Sequence, residues 1–190
     1  MDFETLSRSR RTVRRFQQIP VPDGELRHLI DMARCASCGA NRQQLRYVVI
    51  RNRNLVKKVF DSVAWAMLVA PRRTPTWGVD APPCFIAVTA PAGGGCIVAA
   101  DAGAAIQSMQ LAAWERGIGC CWFASFDPER VKTLLDLPGE RRVLFLVAVG
   151  YSGESPVMEE ARDGNVAYYL DEHDRLHVPK LPVDEISRWM

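Results

Sequence analysis

"DAGAAIQSMQLAAWERGIGCCWFASF" (101–126) is the stretch on which the reading of the fold turns. Residues 101–117 give the clearest long helix, with Asp101 suited to the N-cap and Gly117 to the C-terminal stop. The helix is apolar on nearly every side, which predicts burial all round. In a chain this small, that points to a subunit interface. "CCWFASF" (120–126) then reads as a strand. Read backwards, the apolar region reaches Cys96, but Asp101, Gln107 and Gln110 interrupt it. A membrane span needs ~18 unbroken apolar residues, so none is expected.

Working outward, "CFIAVTA" (84–90) and "RVLFLVAVG" (142–150) are strand-like, as is "LRYVVIR" (45–51). "NLVKKVFDSVAWAMLVA" (54–70) and "DPERVKTLLD" (127–136) read as helices. "RRTPTWGVDAPP" (72–83) is a loop with three prolines, and "PAGGG" (91–95) is a flexible link. Near the amino end, "DFETLSRSR" (2–10) is a short helix and "TVRRFQQIPVP" (12–22) is extended. A further helix starts near Pro22, carries Leu26, Leu29, Ile30 and Ala33 at helical spacing, and ends near Cys38 and Gly39. The tail from Glu154 is polar, with "VAYYL" and "LHVPK" as edge strands or arms. This alternation suggests an α+β or α/β protein and leaves the strand directions open.

With 190 residues, 48% of them hydrophobic, the chain suits a single domain with a sizeable core. A net charge of +2 gives no reason to expect a nucleic-acid or membrane partner. "MDFETLSRSRR" has no apolar signal-peptide core, so a cytoplasmic location and six reduced thiols are the expectation.

The charge is nevertheless concentrated. Arg8, Arg10, Arg11, Arg14 and Arg15 crowd into one run. Whether helical or extended, the backbone brings Arg10 and Arg14 to one side, and Thr12 joins them if it is extended. Two guanidinium forks and a hydroxyl suit a phosphate; the plainer alternative is a solvated basic face. Cys35 and Cys38 form a C-x-x-C, but at the end of a predicted helix, the wrong pole for a low-pKa thiol, and no second pair completes a zinc site. His173 and His177 fall in a predicted hairpin with a turn at 172–175, which favours a surface loop over a metal site. No phosphate-loop, dinucleotide-fold or nucleophile-elbow motif is present.

Taken together, these segments resemble the nitroreductase family of flavin enzymes. "SRRTVRRF" is similar to the family's Arg-Arg-Ser-x-Arg-x-Phe opening. "ARCASCGANRQQLRYVVI" resembles its Ala-x-x-Ala-Pro-Ser-Gly-x-Asn-x-Gln-Pro block and following strand. "DAGAAIQSMQLAAWERGIGCCWFASFD" is similar to its alanine-rich central helix, glycine turn and strand, and "LFLVAVGYSGE" to the strand ending in Gly-Tyr-Pro. The resemblance implies an α+β three-layer sandwich, a mixed, mainly antiparallel sheet flanked by helices, in an intertwined homodimer. It implies one domain over 1–190, with residues 154–190 as an arm wrapping the partner. FMN is implied at the subunit interface, with Arg10, Arg11, Thr12 and Arg14 on its phosphate, ribityl chain and pyrimidine end. Ser37, Cys38, Gly39, Asn41 and Gln43 match the loop covering the flavin from the other subunit. Ala124 and Ser125 match backbone positions beside flavin N5, and Lys180 is the candidate for a basic residue on the phosphate. Cys38 then stands where the family often has serine. Ser37 and Gln44 replace the usual prolines, and the segment between Arg51 and Ala81 is short.

The implied activity is that of an FMN oxidoreductase. It would accept hydride from NADH or NADPH at N5 and pass electrons to a small electron-poor acceptor such as a nitroaromatic or quinone, with no acid–base side chain required. A dehydrogenase or sensor of the same fold fits the same residues. A nucleic-acid module using the arginine run is a third reading, disfavoured by the lack of interleaved aromatics.

Overall fold

The computed structural model describes residues 1–190. Four apolar stretches form one sheet: β1 (Arg46–Ile50), β2 (Cys84–Pro91), β3 (Ile118–Phe123) and β4 (Arg141–Tyr151), in the order β1-β2-β4-β3. All three pairings are antiparallel, so this central sheet is not mixed as expected. Parallel pairing occurs elsewhere, in the tail and at a single bridge between Thr12 and Cys120.

Alternation along the strands sends side chains to two faces. Ile86, Val88, Cys120, Val147 and Val149 pack against α2 (Asp23–Arg34) and α4 (Cys96–Glu115), through Leu26, Leu29, Ala105, Ile106 and Met109. Phe85, Ala87, Cys121, Phe123, Leu146 and Ala148 pack against Val13, Phe16 and the helices α3 (Arg53–Phe60) and α5 (Pro128–Leu134). Both faces of the two middle strands are therefore covered, which is why β2 is buried along nearly its whole length.

Several boundaries differ from the sequence reading. α2 stops at Arg34, before Cys38, because the Cys35 N–H turns back onto the Met32 and Ala33 carbonyls. α3 ends at Phe60 rather than running to Ala70. Its continuation is diverted into a bridge between Val63 and Phe126, and Ala66 takes a φ of 26°. Pairing beside the sheet here overrides helical propensity.

α4 begins at Cys96 with Gly95 as N-cap, so Asp101 lies inside the helix and is buried, not its cap. By length and composition α4 could cross a membrane, but it packs in the core against α2 and β3. It is not buried all round. Ile97, Ala100, Ala104 and Gln107 are exposed at helical spacing, because the sheet and α2 cover only one side.

The tail forms its own small sheet from β5 (Val157–Glu160), β6 (Tyr169–Leu170) and β7 (Leu176–Lys180), in the order β5-β7-β6, followed by α6 (Val183–Ile186). Residues 154–180 make ion pairs to their own chain. Arg73 and Glu154 pair at 2.9 Å with both side chains only 4% exposed. Asp174 meets Arg15 at 3.1 Å and Arg72 at 2.8 Å.

The extended segment after α1 (Phe3–Ser9) crosses the sheet where β3 begins and β4 ends. A Cβ at Gly119 would lie 2.6 Å from Val13, and one at Gly150 would lie 2.6 Å from Pro83 and 2.9 Å from Phe16. These paired glycines let the crossing segment lie directly on the sheet. Gly119→Ala should therefore cost about 1–3 kcal/mol through overpacking. A urea titration checks this, and an unchanged midpoint would contradict it.

The predicted hairpin with its turn at 172–175 is present, joining β6 to β7, and it gives His177 a setting the sequence did not suggest. Its ring sits 2.8 Å from Glu159 and 3.1 Å from Asp171 and stacks on Tyr169. Hydrogen bonds to Glu159 and Asp171 raise the His177 pKa above its ordinary 6.5. The His177 bond holds Glu159 below the usual carboxylate range, and the Arg175 amide, followed by His177, does the same for Asp171. The histidine contribution is thus full below 6.5 and fades as pH rises through the raised value; the carboxylate contributions fade as pH falls through the lowered ones. NMR titration should give His177 a midpoint above 6.5, and a midpoint at or below 6.5 would refute this arrangement.

Candidate functional site

The crossing segment sorts the arginine run. The Val13 amide donates to the Cys120 carbonyl at 3.0 Å, and the Phe16 amide to the Asp80 carbonyl at 2.9 Å. Fixed in this way, the five guanidinium groups have different fates. Arg8 pairs with Glu4 on the surface of α1, and Arg15 with Asp80 and Asp174. Arg11 turns into its own chain, bonding the Arg8 carbonyl and lying 3.2 Å from the Met158 sulfur. Arg11 is buried, with its Nε unpartnered and no carboxylate beside it.

Arg10 and Arg14, like Arg11, have no carboxylate partner. Arg10 is half-buried with its Nε buried and unpartnered, and desolvation lowers its pKa. Arg14 is half-buried beneath the Tyr168 ring, 5.2 Å from its centroid. Its backbone amide and that of Arg15 both donate to the Glu154 carboxylate. Thr12 lies between them, half-buried. Tyr168 and Glu154 were not legible as partners of this segment, since both come from beyond the last strand of the sheet.

The second group forms a loop over α4. Ser37, Cys38 and Gln43 line a cavity of about 370 Å³ together with Ile30, Tyr47 and Asp101. The Gly39 amide donates to Asp101 Oδ1 at 2.9 Å. Asn41 accepts a bond from the Gln43 amide at 3.1 Å and lies 3.9 Å from the Cys38 sulfur. Ala40, Asn41 and Gln43 all have left-handed backbone, at φ 51°, 52° and 48°. Three such non-glycine residues in four positions mark a loop held in an uphill conformation by its surroundings.

These two groups do not meet in one chain. The arginine segment follows α1, which docks at the C-terminal end of α4 where Trp114 Nε1 donates to Ser9 Oγ at 3.0 Å. The loop docks near the other end, at Asp101. Thirteen helical residues separate the anchors, roughly 20 Å of axis.

Ala124 and Ser125 follow β3 directly and are exposed. The Ser125 carbonyl accepts from the Ala64 amide at 2.9 Å, while the amides of Ala124 and Ser125 have no partner in the chain. Beside them Trp65 packs edge-on against Phe123 at 4.7 Å, with its Nε1 buried and unpartnered. Lys180 is exposed at the end of β7, opposite Glu160.

The thiols form no disulfide, and Cys35 and Cys96 are exposed. Burial pushes the Cys84 and Cys121 thiols up to about 12 and raises Cys120 as well, which removes these three from nucleophilic chemistry near neutral pH.

Comparison with known proteins fits this geometry. A Methanothermobacter thermautotrophicus protein whose name couples NADH dehydrogenase with NAD(P)H nitroreductase is 24% identical over 194 residues, covering 95% of this chain and 88% of its own. A Thermus thermophilus NADH dehydrogenase is 28% identical, covering 81% of this chain and 88% of its own. Among solved structures, a variant of the FMN- and NADPH-dependent nitroreductase NfnB from Sphigopyxis sp. strain HMH superimposes with a TM-score of 0.75 at 20% identity, over 100% of this chain and 99% of that one. A nitroreductase family protein from Clostridium difficile gives a TM-score of 0.71 at 22% identity, covering 100% and 98%. Residues 7–151, well over half of the chain, match the Nitroreductase family profile, and with the fold in agreement the chain belongs to the nitroreductase family.

Proposed function

We propose that this chain is a homodimeric FMN-dependent oxidoreductase that draws on NADH or NADPH and reduces small electron-poor acceptors of the nitroaromatic or quinone kind. The observation that carries the reading is the set of guanidinium groups that the fold leaves without a carboxylate. Arg10 and Arg14 are half-buried and, like the buried Arg11, have no carboxylate partner, while Arg8 and Arg15 form ion pairs within the chain. A desolvated cation without a counterion is costly, and a phosphorylated ligand relieves that cost. FMN therefore fits the residues present.

Arg10 and Thr12 would hold the phosphate and ribityl chain, and Arg14 the pyrimidine end. When bound, FMN supplies the redox chemistry, taking up hydride from the nicotinamide and passing electrons to the acceptor. The free amides of Ala124 and Ser125 offer two backbone donors at the edge of the sheet. The Tyr168 ring over Arg14 shields that cation from water and so strengthens its field at the ligand. No acid–base side chain is called upon.

The dimer follows from reach. The arginine segment and the loop 37–43 sit at opposite ends of α4, so a second copy is needed to bring a loop over each arginine pair. The exposed stripe Ile97, Ala100 and Ala104 on α4 gives that copy an apolar face to cover. NADH dehydrogenase and NAD(P)H nitroreductase in the relatives' names support the nicotinamide donor.

Reconstituted protein should be yellow, with about one FMN per chain. Arg10→Ala should weaken FMN binding by roughly tenfold to a hundredfold, the range for a hydrogen bond to a charged group. Cys35→Ala should leave it unchanged. Fluorescence titration of flavin-free protein checks both, and equal losses in the two variants would move the site to the thiols.

A further inference from the structure

We propose that Asp101 is the positioning residue of the loop 39–43, clamping through Gly39 the backbone that covers the flavin of a neighbouring copy; the flavin part rests on the function proposed above. Asp101 is an anomaly where it stands. It is only 7% exposed, inside a helix whose buried side is otherwise almost wholly apolar, and no cation of the chain pairs with it. A buried, unpaired carboxylate opposes folding, and an apolar residue would fill the position better. Its single hydrogen bond within the chain is from the Gly39 amide, 62 positions away in sequence, at 2.9 Å.

Gly39 answers to the same contact. A Cβ there would lie 2.6 Å from Ile97 Cγ2, so the loop backbone is pressed onto the first turns of α4. The residues that follow, Ala40, Asn41 and Gln43, have left-handed backbone that non-glycine residues adopt only under constraint. Within the loop, backbone hydrogen bonding is limited to Asn41 onto Cys38 and Arg42 onto Gly39. The conformation is therefore held from outside, at its start by the carboxylate of Asp101 and at its end by Arg46, whose Nη1 donates to the Gln43 carbonyl at 2.7 Å. Asp101 also borders the cavity lined by Ser37, Cys38 and Gln43, which places the clamp beside the residues it positions.

The test compares Asp101→Leu and Asp101→Asn with the parent chain in three readouts: thermal melting, amide exchange of residues 39–43 in flavin-free protein, and FMN titration. A clamp predicts that Asp101→Leu melts no lower than the parent, since an unpaired carboxylate has been removed. It predicts that Gly39 exchange is faster by about tenfold or more and that FMN binds roughly tenfold to a hundredfold more weakly. Asp101→Asn, whose amide oxygen can accept the same bond, should fall between the two. The proposal is overturned if Asp101→Leu keeps the Gly39 amide protected and binds FMN as tightly as the parent. Should Asp101→Leu fail to fold, Gly39 exchange in Asp101→Asn decides, with faster exchange supporting the clamp and unchanged exchange refuting it. A parent chain that binds no FMN sinks the flavin reading alone, because exchange in flavin-free protein still tests the clamp.

Discussion

The carboxylate of Glu154 ties the two ends of the chain to the sheet, and the candidate site depends on it. It accepts the backbone amides of Arg14 and Arg15 and pairs with Arg73 at 2.9 Å, in a setting where both side chains are 4% exposed. A buried ion pair of this kind gains little net stability, because desolvation offsets most of its attraction. Its worth lies in placement. With two amides fixed, the extended segment cannot slide along the glycine pair of β3 and β4, and the guanidinium groups of Arg10 and Arg14 keep their aim.

The same segment shows how a cationic site can be built from a crowded run. Five arginines close in sequence repel one another, and the fold gives carboxylates to two of them and a backbone carbonyl to a third. Glu4 takes Arg8, Asp80 and Asp174 take Arg15, and the Arg8 carbonyl takes Arg11. Arg10, Arg11 and Arg14 are left buried or half-buried without a counterion, which makes an anionic ligand favourable. Stability is given up locally at Arg10, at Asp101 and in the left-handed loop 40–43. Those are the places where a binding site, rather than a core, explains the residues.

Much of this was legible in the sequence, for identifiable reasons. The strands at 84–90 and 142–150 are predominantly apolar runs carrying several β-branched residues, and they form the two central strands. α3 was read ten residues too long, because the pairing of Val63 with Phe126 depends on a strand end far along the chain. Asp101 was read as a cap because a carboxylate before an alanine-rich run usually is one; Gly95 supplied the cap instead, and the partner of Asp101 lies 62 positions away. The motifs identified the arginine run and the loop 37–43, but not which arginines stay free, since their acceptors come from α1, the loop before β2 and the tail. The tail itself, with Tyr168 over Arg14 and His177 between two carboxylates, carries no periodic pattern from which such contacts could be read.

The central claim is that the guanidinium group of Arg10, in the amino-terminal segment, recognises a phosphate. Riboflavin has the ring system and ribityl chain of FMN but lacks that group, so titrating flavin-free protein with each isolates the contribution of the phosphate. The account predicts that FMN binds at least about tenfold more tightly than riboflavin, with the difference shrinking as salt is added. Equal affinity for the two flavins would contradict it.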